Sequence, residues 1–178
     1  MKYNSIAISG LPGSGKSILC RMLSDKLDWE IKSVGDYLRS RYRKEMPEIS
    51  FEEYYRRCSI KDLRRINREL TKRIDRGQII ADTRLVYFLG DKTLKVFMTA
   101  PVGVRAYRTD LKKYPGRIRR EVAGILEERE QDELNFGKLL VREDYDYRDP
   151  AHYNLVLETD KLYPYQELED VLGALKEH

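Results

Sequence analysis

A chain of 178 residues, 41% hydrophobic and 36% charged, has room for one domain with a sizeable core. Its 34 basic and 30 acidic side chains leave a net charge of only +4, a mixed surface that argues against a nucleic-acid scaffold. No apolar run approaches the ~20 residues of a membrane-spanning helix, no targeting peptide precedes the first strand, and Cys20 and Cys58 stand in no metal or C-x-x-C spacing, so a reducing, cytoplasmic setting is expected.

Tyr3 to Ser9 is short, β-branched and apolar toward its end, as a buried parallel strand should be. A helix over 16–28 follows, with Leu19, Leu23 and Leu27 on one face. Glu30 to Val34 is a second strand, and Gly35 opens a helix over Asp36 to Lys44. After the break at Pro47, Ser50 and Glu53 form a capping box for a charged helical stretch. That stretch is interrupted near Ser59 and ends at Gly77. Gln78 to Asp82 and Thr93 to Thr99 are further strands, and Pro101 starts a helix. A turn at Tyr114-Pro115-Gly116 leads into a charged helix from Arg117 to about Asn135. Asn154 to Glu158 is the last strand, and Pro164 to Lys176 a final helix with Leu168, Val171, Leu172 and Leu175 on one face. Alternation of this kind predicts an α/β fold, a three-layer sandwich about a five-stranded parallel sheet.

Residues 10–17 read G-L-P-G-S-G-K-S, the phosphate-loop pattern G-x-x-x-x-G-K-[ST]. Gly10, Gly13 and Gly15 let successive amides turn toward phosphate oxygens. Lys16 supplies a cation for the β- and γ-phosphates, and Ser17 a hydroxyl for Mg²⁺. The helix that follows offers its positive end. Asp82 ends an apolar strand, where a carboxylate in such proteins holds Mg²⁺. Arg84 follows two residues later, and Arg39 one helical turn beyond Gly35. Both lie past the carboxyl ends of strands and have the fork that suits phosphate. Arg117, Arg119 and Arg120 fit a solvated face with i, i+4 pairs. His152 and His178 have no partner in the pattern and are read as incidental. The basic run from Arg56-Arg57 to Arg76 is interleaved with Asp62, Glu69 and Asp75, as in a solvated helix. Tyr54, Tyr55 and the tyrosines near 145–153 are read as packing residues.

The order of these pieces resembles the nucleoside monophosphate kinases, above all the short cytidylate kinases of archaea. The resemblance is carried by I-S-G-L-P-G-S-G-K-S (8–17), S-V-G-D-Y-L-R (33–39), D-T-R-L (82–85), A-P-V-G-V-R-A-Y-R (100–108), E-E-R-E-Q-D-E (127–133) and N-L-V-L-E-T-D (154–160). It implies one kinase domain: a core of 1–34, 78–108 and 138–178, a monophosphate-binding lobe at about 35–77, and a lid at about 109–137. It implies ATP and Mg²⁺ as cofactors and a nucleoside monophosphate, CMP or dCMP first, as acceptor. Gly10, Pro12, Gly13, Ser14, Gly15, Lys16, Ser17 and Ile18 would hold ATP, with Arg108, Thr159 and Asp160 near the adenine or its phosphates. Gly35, Arg39, Asn67 and Arg84 would hold the acceptor, and Arg129 would neutralise the transferring group. Lys16, Arg84 and Arg129 are thus the expected catalytic residues, and Ser17 and Asp82 the expected metal ligands.

Three pieces of the chain depart from the family pattern. An arginine-tyrosine pair after the lid motif is replaced by Phe136-Gly137, which implies either a slow enzyme or a charge supplied by a neighbour such as Lys138 or Arg142. Base-reading aspartates are replaced by Leu63 and Asn67, and the family's E-G-R by Asp82-Thr83-Arg84. Two alternatives therefore stay open: a kinase for another nucleotide or small molecule, and a nucleotide-binding module without catalysis. Partners are small nucleotides, with neither membrane nor nucleic acid expected; a monomer is the expectation for an oligomeric state the sequence leaves open.

Overall fold

A computed structural model describes residues 2–50, 53–54, 57–109 and 114–176. Five strands form one sheet: β1 (Ser5–Gly10), β2 (Glu30–Ser33), β3 (Ile79–Asp82), β4 (Thr93–Thr99) and β5 (Leu155–Glu158). All pair in parallel, in the order β2-β3-β1-β4-β5. Among the described residues six helices flank it: α1 (Lys16–Leu27), α2 (Val34–Glu45), α3 (Ile60–Ile74), α4 (Val102–Arg108), α5 (Arg119–Leu140) and α6 (Pro164–Lys176). The predicted three-layer α/β class is thus borne out.

Alternation along the central strands explains the layers. Ile6 and Ile8 of β1 point into a cluster with Leu19 and Leu23 of α1 and Val171, Leu172 and Leu175 of α6. Ala7 points the other way and meets Leu70 and Ile74 of α3. Phe97 of β4 does likewise and packs with Leu134 of α5, Tyr145 and Tyr147. β1 is buried at every position, so neither face tolerates a polar run. Because all strands run the same way, the loops after β1, β2, β3, β4 and β5 emerge at one edge, on both sides of the central strand.

Most boundaries match the sequence reading. Ser59 caps α3, its Oγ accepting from the Asp62 amide at 3.1 Å, at the expected interruption. Half of the expected capping box is present, with Ser50 Oγ accepting from the Glu53 amide at 3.1 Å. Phe51, Glu52, Tyr55, Arg56 and His178, and 110–113 of the expected lid, lie outside the described residues.

Val34, expected to end β2, is the first residue of α2, and two further boundaries differ. Gln78 has a left-handed φ of 58° and its amide donates to Asn4 O, so β3 begins at Ile79. Helix α5 runs five residues beyond its expected end, because Leu134, Gly137 and Leu140 are all buried and hold that turn against the core. Among the described residues no helix is long and apolar enough to cross a membrane.

Candidate active site

The phosphate loop leaves β1 at Gly10, whose φ is 147°. A Cβ there would stand 2.3 Å from Met98 O on the neighbouring strand, so only glycine fits. Lys16, 8% exposed, folds back over the loop and donates from Nζ to Gly10 O and Leu11 O, both at 2.8 Å. Burial, followed by the nearby positive charge of Arg84, brings its pKa down to about 7; Asp82 and Glu133 oppose the shift. Ser14 Oγ is buried and has no hydrogen-bond partner among the described residues. A polar atom left so is costly and points to a polar ligand. Ser17 and Ile18 lie exposed at the head of α1.

Behind the loop stands a residue the sequence reading assigned no role. Arg105 is buried, and its guanidinium donates to Ala100 O at 2.9 Å, to Pro12 O at 3.1 Å and to Glu130 Oε2 at 3.1 Å. Glu130 also pairs with Arg148 at 3.2 Å, and Arg148 with Asp146. The loop is therefore braced against α5 through a chain of charges.

At the end of β3, Asp82 is half-buried and close enough to raise the pKa values of Lys16 and Cys20. Thr83 is buried, its Oγ1 accepting from the Leu85 amide at 3.2 Å. Arg84 then reaches Glu133 of α5, Nε to Oε2 at 2.5 Å. Arg129, one turn earlier on α5, meets the other oxygen of the same carboxylate at 3.1 Å. Glu133, its side chain 8% exposed, thus draws two arginines together beside Lys16. The sequence reading singled out both arginines and missed the glutamate. Its signal was present: Glu133 lies four residues after Arg129, the spacing of a helical ion pair.

The residues expected to hold the acceptor are placed less uniformly. Ser33 caps α2 through the Asp36 amide, so Gly35 and Arg39 sit in its first turns. Arg39 pairs with Asp36 at 2.7 Å and its guanidinium lies across Gly35. Asn67 is buried, and its amide nitrogen donates to Leu63 O at 2.7 Å. Leu63 belongs to an apolar cluster with Leu38, Ile66 and Leu140 and presents no polar group.

On the other side, Arg108 donates to Thr159 Oγ1 at 2.8 Å and Thr159 O at 2.7 Å. Thr159 in turn donates to the Ser14 and Thr99 carbonyls, both at 3.2 Å. Arg108 is thereby tied to the phosphate loop, while Asp160 is exposed. Arg119 is exposed, as expected of a solvated face, and donates to Ala106 O and Thr109 O, closing the end of α4. Arg117 does make its helical pair, with Glu121.

The Phe136-Gly137 departure is a packing solution. Phe136 joins the apolar cluster of Leu38, Leu63 and Ile66. Gly137 receives the ring of buried Tyr145, which a Cβ would meet at 3.0 Å. Tyr145 OH then donates to Arg84 O at 2.8 Å, and its ring stacks on His152. Arg142 pairs with Asp144 and lies over the Tyr87 ring, and Lys138 acts on Asp146.

Among the described residues no group of three or more His, Cys, Asp or Glu is placed to hold a metal. A single carboxylate and a hydroxyl, as Asp82 and Ser17 offer, suit Mg²⁺, which keeps most of its shell as water and phosphate. The loop's partnerless Ser14 hydroxyl and the three cations beside it fit a polyphosphate.

A glycine-shaped loop after a central parallel strand, with a buried lysine and converging arginines, defines a P-loop phosphotransferase site. A family model described as "AAA domain" matches residues 9–99. A cytidylate kinase of Halobacterium salinarum is 30% identical over 96% of this chain and 88% of its own. One from Methanosarcina acetivorans is 26% identical over 96% and 95%. A shikimate kinase structure from Bacteroides thetaiotaomicron shares the fold at TM-score 0.62, with 14% identity over 97% of this chain and 98% of its own. The chain belongs to the P-loop nucleoside monophosphate kinase family and resembles its archaeal cytidylate kinases.

Proposed function

We propose that this protein transfers the γ-phosphoryl group of ATP to CMP or dCMP, giving the nucleoside diphosphate and ADP. The observation that carries this reading is the convergence of Arg84 and Arg129 on one buried carboxylate beside Lys16. An oxygen of the acceptor phosphate forms the new bond to the γ-phosphorus as the bond to the β,γ-bridging oxygen breaks. The acceptor is already ionised, so no general base is needed and catalysis rests on positioning and charge neutralisation.

Lys16 and the loop amides hold the ATP phosphates, and Arg108 the adenine side. Arg39 and Arg84 hold the acceptor phosphate, and Arg129 faces the transferring group. Ser17 and Asp82 would hold Mg²⁺, which neutralises phosphate oxygens when bound. The expected lobe and lid, at about 35–77 and 109–137, carry Arg39 and Arg129 to the edge of the sheet and limit the access of water.

A second reading rests on Leu63 and Asn67. Where the family pattern has base-reading aspartates, one side chain is apolar and buried and the other donates to its own helix. This favours a kinase for another nucleotide or small-molecule acceptor. ADP formation with CMP, dCMP, UMP, AMP, GMP and no acceptor separates the two. Turnover with CMP or dCMP alone supports the first; turnover with a different acceptor only supports the second. Arg84→Ala is expected to raise the acceptor KM by about tenfold to a hundredfold; an unchanged KM would remove Arg84 from the acceptor site.

A further inference from the structure

We propose that Glu133 is a positioning residue of the transfer site: its carboxylate holds Arg84 and Arg129 convergent beside Lys16 and shares them with substrate phosphate. This inference rests on the kinase reading above. Glu133 is well placed for such a task. Its neighbour Leu134 is locked into a cluster with Leu11, Phe97, Tyr145 and Tyr147, so its backbone is fixed to the core. Arg84 is held twice, by Glu133 at its guanidinium and by Tyr145 OH at its carbonyl. Both holds depend on the same turns of α5, because Tyr145 seats on Gly137.

The charge balance gives the carboxylate its second property. Arg84 and Arg129 act on Lys16, with Asp82 and Glu133 as the opposing carboxylates. Without Glu133 two guanidiniums would face each other and Lys16 with one counter-charge fewer. A carboxylate and a phosphate oxygen both pair with a guanidinium by charge, and Arg129 Nε–H already donates to Glu133 Oε1 as it would to phosphate. Glu133 therefore competes with substrate for both arginines while it keeps them aimed. Its removal strengthens anion binding, because the state with free arginines no longer has to be won from a competitor. It also weakens catalysis, because the arginines are no longer ordered for the transferring group.

The test compares Glu133→Gln and Glu133→Asp with the wild type, reading inorganic pyrophosphate binding by calorimetry, the CMP KM and kcat with ATP·Mg²⁺, and the melting midpoint. The Gln variant is expected to bind pyrophosphate about tenfold tighter. Its CMP KM falls, and its kcat drops by about a hundredfold. The Asp variant, one methylene shorter, lies between the two in both readouts. A merely structural glutamate gives the opposite split, with weaker pyrophosphate binding, a raised KM and a lower midpoint; that result overturns the proposal. If the Gln variant does not fold, an Asp variant equal to wild type in both readouts overturns it as well. Should the wild type turn over no CMP at all, the CMP reading fails, and pyrophosphate binding alone still decides the role of Glu133.

Discussion

Between Gly10 and Ser17, most of what shapes the site comes from the loop itself or from the adjoining strand. Lys16 bonds to carbonyls five and six residues away, and Gly10 is fixed by Met98 of β4. Helix α5 reaches the same pocket differently. Glu130 meets Arg105 and Glu133 meets Arg84, each across a large gap in sequence, and Gly137 receives Tyr145 from the segment that follows the helix. A phosphate site built from backbone is complete within one motif. A helix that delivers charge to it must be positioned by packing and ion pairs from elsewhere, and those partners can vary as long as the charge arrives. Phe136 and Gly137 show this: the helix gives up a cation there and gains an anchor.

The sharpest way to test the loop's half of this comparison is Lys16→Ala. It is expected to lower kcat by at least about a thousandfold, ~4 kcal/mol of transition-state stabilisation, read as ADP formation; near-normal turnover would mean that the loop lysine is dispensable. Gly10→Ala comes next. Its Cβ would strike the Met98 carbonyl, a backbone atom with nowhere to go, at a φ that alanine disfavours. A loss of about 3 kcal/mol is expected in denaturant unfolding, and a loss under ~1 kcal/mol would show the loop to be pliable.

Where the two regions meet, proton linkage reports on Lys16. Its pKa of about 7 belongs to the anion-free protein, and a bound polyanion favours the charged amine. Pyrophosphate binding at about pH 8 should therefore take up close to one proton, and at about pH 6 almost none. Affinity accordingly falls as pH rises through the pKa. Calorimetry in buffers of different ionisation enthalpy measures this, and Lys16→Met should abolish the uptake; equal uptake in that variant places the proton elsewhere. The smallest effect is on the helix. Gly137→Ala gains about 1 kcal/mol of helix propensity but presses on a buried ring, an overpacking cost of ~1–3 kcal/mol. A net loss of about 1 kcal/mol is expected, and a stabilised variant would show that Tyr145 can yield.

How much was legible in the sequence follows the same division. The loop, Asp82, Arg84, the cap at Ser50 and the break at Ser59 could be read, because each is decided by neighbours within a few residues. The brace of Arg105 on Pro12 and Glu130 could not, since only the sheet order brings those residues together. Glu133 was half-legible: its pairing with Arg129 is helical spacing, its pairing with Arg84 is tertiary. The end of α5 was misplaced by five residues because a glycine favours a helix end locally, while here burial under Tyr145 keeps the helix going.

The most direct test of the transfer itself uses ATP labelled at the γ-phosphate, with Mg²⁺ and CMP, for the wild type and Lys16→Ala. The label is expected in CDP with the wild type and to remain in ATP with the variant. Label appearing only as inorganic phosphate, or in CDP equally with both proteins, would contradict phosphotransfer by this site.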